Sequence, residues 1–188
     1  IEKYLKFGVV TPAQSEWASP IVLVVKSDGS IRFCLDFRVV NRMSKVDTFG
    51  PADQRQLLTS LREAIIYSSL DFSSAYWHIL MELASRELTT FITPSQGSFQ
   101  FTSMPFGLVN AGATFCRLIN VVLQKYIGRF AQAYVDDLIV YSNSIDEQLN
   151  HLELVFCEIE KAHLKLKPKN CRSEERRVGG GGWGGGGG

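Results

Sequence analysis

Two adjacent carboxylates, Asp136 and Asp137, interrupt the apolar run Ala133-Tyr134-Val135-Asp136-Asp137-Leu138-Ile139-Val140-Tyr141. Like charges this close, between buried strands, repel each other, and a bound cation relieves the repulsion. Carboxylate oxygens are hard ligands, which suits the pair to Mg²⁺. A third acid, Asp71, ends the run Ile65-Ile66-Tyr67-Ser68-Ser69-Leu70. The turn after it, Phe72-Ser73-Ser74-Ala75-Tyr76-Trp77, combines small residues with two large rings. Exposed backbone N–H groups behind a strand-end carboxylate can hold phosphate oxygens beside a metal. Taken singly, each acid has a plainer reading, because Asp-Asp pairs are commonly solvated turns and a strand-end Asp commonly caps a helix. Two cations, Lys26 and Arg32, could meet a triphosphate, although by pattern alone they read as solvated charges of a hairpin.

The elements that must place these residues follow from periodicity. Residues 130–135 and 138–142 read as two strands with only Asp136 and Asp137 between them. A purely structural tip would prefer Asn-Gly or Asp-Gly. Residues 65–71 form a further strand. Asp71 and Asp136 stand 65 residues apart and meet only if their strands neighbour each other in one antiparallel sheet. Residues 21–26 and 31–37 form a hairpin around Ser27-Asp28-Gly29-Ser30, and 88–93 and 98–101 another around Pro94-Ser95-Gln96-Gly97. Residues 37–41 make a turn or short helix. Helices are predicted over 1–7, over 53–61 capped by Asp53, over 110–127 capped by Asn110, and over 144–162 capped by Ser144. The last should bury Leu149, Leu152, Val155, Phe156 and Ile159. Residues 164–167 alternate like a short strand, and Lys161, Lys165, Lys167 and Lys169 form the one basic cluster. The fold class is α+β.

A chain of 188 residues that is 45% hydrophobic and 11% aromatic can build one domain, or two small subdomains, around a real core. Three of its 20 basic and two of its 19 acidic residues lie in 171–188, so the body balances at 17 of each. A nucleic-acid binder is usually basic overall, and any such binding here must use local patches. No apolar run reaches bilayer length and no signal peptide is recognisable, so an intracellular protein is expected. Cys34, Cys116, Cys157 and Cys171 lie far apart and read as reduced, mostly buried thiols. Residues 171–188 leave the pattern abruptly, ending in glycine broken only by Trp183, and cannot build a core. They read as translated sequencing-adapter sequence followed by a run of G calls, with a flexible Gly-rich linker as the natural alternative.

With the pieces in order, residues 1–170 resemble the reverse transcriptases of gypsy-type LTR retrotransposons, relatives of the retroviral enzymes. The resemblance is carried by Trp17-Ala18-Ser19-Pro20-Ile21-Val22-Leu23-Val24, Asp28-Gly29-Ser30-Ile31-Arg32-Phe33-Cys34, Asp36-Phe37-Arg38-Val39-Val40-Asn41, Leu70-Asp71-Phe72-Ser73-Ser74-Ala75-Tyr76-Trp77, Phe91-Ile92-Thr93-Pro94, Met104-Pro105-Phe106-Gly107-Leu108, Tyr134-Val135-Asp136-Asp137 and Leu164-Lys165-Leu166-Lys167-Pro168.

It implies the fingers and palm of a right-hand polymerase, with an antiparallel palm sheet packed on helices. It implies RNA- or DNA-templated DNA synthesis, in which a primer 3′-OH attacks a dNTP and pyrophosphate leaves, aided by two Mg²⁺ ions with Mn²⁺ as substitute. Asp71, Asp136 and Asp137 match the catalytic acids and metal ligands, and the Phe72 carbonyl matches the backbone ligand. Lys26, Arg32, Phe72, Ser73, Ser74, Ala75, Tyr76 and Phe106 match the dNTP site, Tyr76 as the ring that excludes a ribose 2′-OH. Tyr134 and Val135 match residues that touch primer and template. The implied partners are template, primer and dNTP, with no membrane, and the implied setting is cytoplasmic, in the virus-like particle of a parent element.

Departures are the misplaced proline in Phe49-Gly50-Pro51-Ala52, Gly112 where proline is usual, and Leu88 where lysine is usual. The family's primer-grip hairpin, thumb, connection and RNase H domain are expected after Asn170. One rival reading is an inactive remnant with residual nucleic-acid binding. Another is a viral RNA-dependent RNA polymerase, which would normally show Gly-Asp-Asp, and Tyr76 argues against it.

Overall fold

The computed structural model describes residues 1–25, 29, 31–49, 59, 64–134 and 136–175. Lys26, Val135, the helix expected over 53–61 and residues 176–188 lie outside the described residues. The fold is α+β, as the patterning implies, with three antiparallel sheets and five α-helices among the described residues.

The largest sheet positions the acids. Its strands are β4 (Ile66–Asp71), β7 (Ala131–Tyr134), β8 (Asp137–Ser142) and β9 (Arg172–Glu175), in the order β7-β8-β4-β9. Alternate residues face the core, as period-2 strands require. Ile66, Ser68 and Leu70 are buried on β4, Ala131 and Ala133 on β7, and Leu138, Val140 and Ser142 on β8. Two helices, α4 (Ala111–Val122) and α5 (Ile145–Lys161), supply the other half of this core with Phe115, Ile119, Val155 and Ile159. Each such side chain, fully buried, contributes about 1.5–3 kcal/mol. Polar groups enter at Ser68, Ser142 and Gln148, and the Gln148 amide donates to Ser68 Oγ at 2.8 Å and to Val140 O at 3.3 Å.

A second core of Val9, Val10, Leu35, Phe37, Val40, Phe91, Phe99 and Phe101 lies under the other sheets. β1 (Val10–Pro12), β6 (Gly97–Phe101) and β5 (Phe91–Thr93) pair in that order, and β2 (Ile21–Val25) and β3 (Ile31–Leu35) form a two-stranded ribbon. The remaining helices are α1 (Glu2–Lys6), α2 (Arg38–Met43) and α3 (Leu83–Arg86).

Several expectations are corrected. β3 stops at Leu35, because the Asp36 carboxylate accepts from Arg38 N at 3.1 Å and opens α2 instead. The strand expected from residue 88 begins at Phe91. Before it, the Thr89 and Thr90 hydroxyls donate to Arg86 O and Glu87 O and hold a 3₁₀ turn over Glu87–Thr89, a local bond that competes with the ladder. α4 ends at Val122 rather than near 127, and Asn110 caps it without its side chain. That amide instead accepts from Asp47 N at 2.9 Å and donates to Lys45 O at 2.8 Å.

Ser144 does cap α5, accepting from Glu147 N at 3.2 Å. The buried stripe of α5, however, is Gln148, Leu152, Val155 and Ile159, while Leu149 and Phe156 face outward. Of the cysteines only Cys116 is buried, and Cys157 is exposed. Residues 164–167 make a single bridge, Phe72 to Leu166, rather than a strand. The chain does not leave the body at residue 171, because Arg172–Glu175 pairs with the open edge of β4. All four of those residues are exposed, so the strand adds no core, only backbone bonds and the side-chain bonds of Tyr67 with Glu174 and of Ser68 with Ser173, both at 2.7 Å.

Candidate active site

The three acids converge on one end of the large sheet. Asp71 is the last residue of β4 and lies directly opposite Asp137, the first residue of β8. Tyr134 pairs with Asp137, so Asp136 belongs to the turn between β7 and β8. Asp137 is therefore part of β8 rather than of the tip, which the sequence placed at Asp136-Asp137. The core dictates this register, since a slip of one residue would turn Leu138 and Val140, both fully buried, toward solvent.

Directly opposed like charges destabilise a sheet. The Asp137 carboxyl accordingly titrates above its ordinary range, pushed up first by burial and then by the charges of Asp71 and Asp136.

Two neutral donors hold the other two acids. The Tyr76 hydroxyl donates to Asp136 Oδ1 at 2.5 Å, and the Asn170 side-chain amide donates to Asp71 Oδ2 at 2.5 Å. Tyr76 is buried, with its ring 4.9 Å from that of Phe106 and 6.2 Å from that of Phe115. Burial, then the bond to Asp136, raises its hydroxyl above the usual phenol range, so it stays protonated and a donor.

The turn after Asp71 is fixed on both sides. Ser73 N donates to Lys165 O and Lys167 N to Asp71 O, both at 2.8 Å. These bonds flank the bridge between Phe72 and Leu166 and leave the Phe72 carbonyl out of it. The Phe72 ring packs on Phe115 at 5.2 Å. Ser74 adopts a left-handed φ of 52° and heads a 3₁₀ turn over Ala75–His78. Its N–H and that of Ala75 start no bond within that turn, as the first donors of any helix do not.

Phe106 is half exposed beside Tyr76. Its loop is clamped by Asn41, whose amide donates to Gly107 O at 2.8 Å and accepts from Val109 N at 2.9 Å. Gly107 has a φ of +96°, and a Cβ there would also sit 3.5 Å from the Phe37 ring, so glycine is needed. Arg32 is exposed on β3 opposite Val24 and makes no ion pair with the acids. Tyr134 is half-buried. Sequence patterning gave no signal for Asn41, Asn170 or His78. The His78 ring bridges Ala75 O and Lys165 N, both at 3.1 Å, through its two nitrogens.

This donor set of three carboxylates and a carbonyl fits a hard divalent ion in chemistry and in charge. Among the described residues no three carboxylate, imidazole or thiolate groups already enclose one point, so the present side-chain positions are an open set. The acids lie apart from the two cavities of about 340 Å³, one beside α2 and α4 and one beside His151.

Residues 24–178 match a family model described as "Reverse transcriptase (RNA-dependent DNA polymerase)". The chain is 33% identical over 171 residues to the Retrovirus-related Pol polyprotein from transposon opus of Drosophila melanogaster, covering 88% of this chain and 17% of that protein. It is 29% identical over 178 residues to the Retrovirus-related Pol polyprotein from transposon gypsy of the same fly, covering 92% and 17%. A solved structure of the foamy viral protease-reverse transcriptase in complex with RNA/DNA hybrid superposes with a TM-score of 0.80 at 28% identity, covering 90% of this chain and 22% of that one. The chain thus spans less than a quarter of each of these relatives. No helix among the described residues is long and apolar enough to cross a membrane.

Proposed function

The chain belongs to the reverse transcriptase (RNA-dependent DNA polymerase) family, and from that premise we propose that residues 1–170 are the fingers and palm of a gypsy-type retrotransposon reverse transcriptase. The proposed reaction is transfer of a deoxynucleotide to a primer 3′-OH on an RNA or DNA template. The observation that carries the reading is the pairing of Asp71 with Asp137 across β4 and β8, with Asp136 in the adjoining turn and bonded to Tyr76.

Enzymes of the family use divalent metal ions. Two Mg²⁺ ions, with Mn²⁺ as substitute, would be held by Asp71, Asp136, Asp137 and the Phe72 carbonyl and would supply Lewis acidity at the attacking and leaving oxygens. The chain's own residues do the rest. The N–H groups of Ser74 and Ala75, with Ser73 beside them, would cradle the triphosphate, and Lys26 and Arg32 would reach it from the ribbon. Ser73 N already donates to Lys165 O, so Ser73 shapes the cradle more than it donates. Tyr76, held upright by Asp136 and packed on Phe106 and Phe115, would stand where a ribose 2′-OH must fit. The exposed face of Phe106 would meet the incoming nucleotide. Tyr134, the last residue of β7, and Val135 would meet the primer end and template.

The whole protein would complete this half of the cleft with thumb, connection and RNase H regions, and would act in a cytoplasmic virus-like particle. The test is primer extension on an RNA template by this chain joined to its natural downstream region. Extension that needs Asp71 and Asp136 supports the reading, and extension indifferent to both overturns it.

A further inference from the structure

We infer that Asn170 is a positioning residue for the metal site, orienting the Asp71 carboxylate. The inference rests on the reading of Asp71 as a metal ligand. Asn170 lies 99 residues along the chain from Asp71, and its side-chain amide donates to Asp71 Oδ2 at 2.5 Å. That bond holds one carboxylate oxygen and leaves Oδ1 out of it.

The donor is itself held from several directions. Asn170 ends a 3₁₀ turn over Pro168–Asn170, and its N–H donates to Lys167 O at 2.9 Å. The segment before it is stitched to the turn after Asp71 by Ser73 N to Lys165 O, by Lys167 N to Asp71 O, and by Lys165 N to His78 Nε2. The His78 bridge needs a neutral ring that donates from Nδ1 to Ala75 O and accepts at Nε2. The segment over 165–170 is therefore tied to the Asp71 turn, and that places Asn170 beside the carboxylate.

The chemistry of the donor matters as much as its place. An amide fixes the carboxylate's direction and leaves its charge intact for a divalent ion, whereas a lysine at this distance would neutralise that charge. Groups that orient metal ligands in this way commonly change metal affinity 10–100-fold when removed.

The experiment is Mn²⁺ binding to the full 188-residue chain, read from the electron paramagnetic resonance of free Mn²⁺, for wild type, Asp71→Asn, Asn170→Ala, Asn170→Leu and the double variant Asp71→Asn/Asn170→Ala. The expected result is about 10-fold or greater weakening in both Asn170 variants, with unchanged far-ultraviolet circular dichroism. The double variant should be no weaker than Asp71→Asn alone, because Asn170 acts only through Asp71. Wild-type affinity in Asn170→Ala overturns the inference and leaves the reading of Asp71 standing. Wild-type affinity in Asp71→Asn, or no Mn²⁺ binding by the wild type, overturns both. If the Asn170 variants do not fold, the side-chain amide resonance of Asn170 decides. It should move on Asp71→Asn substitution, and an unmoved resonance overturns the inference.

Discussion

The bond between Tyr76 and Asp136 can be weighed by a double-mutant cycle of Tyr76→Phe and Asp136→Ala. Tyr76→Phe keeps the ring contacts at 4.9 Å to Phe106 and 6.2 Å to Phe115 and deletes only the hydroxyl. A hydrogen bond to a charged group contributes about 1.5–3 kcal/mol. Asp136 is only half-buried, so water can replace part of what it loses, and the lower end applies, about 1.5 kcal/mol. For a chain of this size that is a fall of roughly 3–6 °C in Tm. Asp136→Ala deletes the acceptor and also relieves repulsion on Asp137, so its own cost is a difference of two effects. The cycle cancels that second effect and returns the coupling alone. Urea unfolding at pH 7 without divalent ions, with unchanged m-values, should give a coupling of about 1–2 kcal/mol. A coupling under about 0.5 kcal/mol, the level of simple additivity, would refute the bond.

Asp137→Asn should stabilise the ion-free chain at neutral pH. The folded state raises this carboxyl above its usual 3.8, so it binds the proton more tightly than the unfolded state does. The wild type therefore gains stability as pH falls through the raised value. The advantage of Asp137→Asn should shrink over that acid window, and added Mg²⁺ should favour the wild type, both read from urea midpoints. Tyr76→Ala, in the chain joined to its natural downstream region, should admit ribonucleotides by opening space at the 2′ position. Primer extension with dNTP and rNTP checks this, and unchanged discrimination assigns the gate elsewhere. Gly112→Ala should raise stability by up to about 1 kcal/mol, because Gly112 is inside α4 and a Cβ there meets only the Tyr76 hydroxyl, at 3.9 Å. A drop in Tm would show that this contact has no room to give.

The parts of the site legible in the sequence are those encoded by local period and motif. Asp71 and the Asp136-Asp137 pair announce themselves as acids at the ends of apolar runs, which can meet only if their strands neighbour each other, as β4 and β8 do. What stayed hidden depends on pairings made far along the chain. The clamp from Asn41 to Gly107 spans 66 residues and the bond from Asn170 to Asp71 spans 99, and neither asparagine differs locally from a turn residue. The two acids look like a turn, whereas the burial of Leu138 and Val140 sets the register and draws Asp137 into β8. Leu149 and Phe156 fit a helical stripe on paper, yet the polar seam of Gln148 and Ser68 takes the inward position. Strand β9 could not be read from Arg172–Glu175, because its four residues are all exposed and show no apolar alternation, and its side-chain partners Tyr67 and Ser68 lie over 100 residues away.

The central claim is tested most directly by templated primer extension with residues 1–170 alone, the same residues joined to their natural downstream region, and that longer chain carrying Asp136→Asn. The body has no excess of positive charge, and duplex affinity comes largely from lysine and arginine contacts to phosphate. The short chain should therefore extend a primer poorly, since misplacing the 3′-OH by about 1 Å costs around 10²-fold. The account predicts Mg²⁺-dependent synthesis by the longer chain that Asp136→Asn abolishes, and synthesis that continues without Asp136 would contradict it.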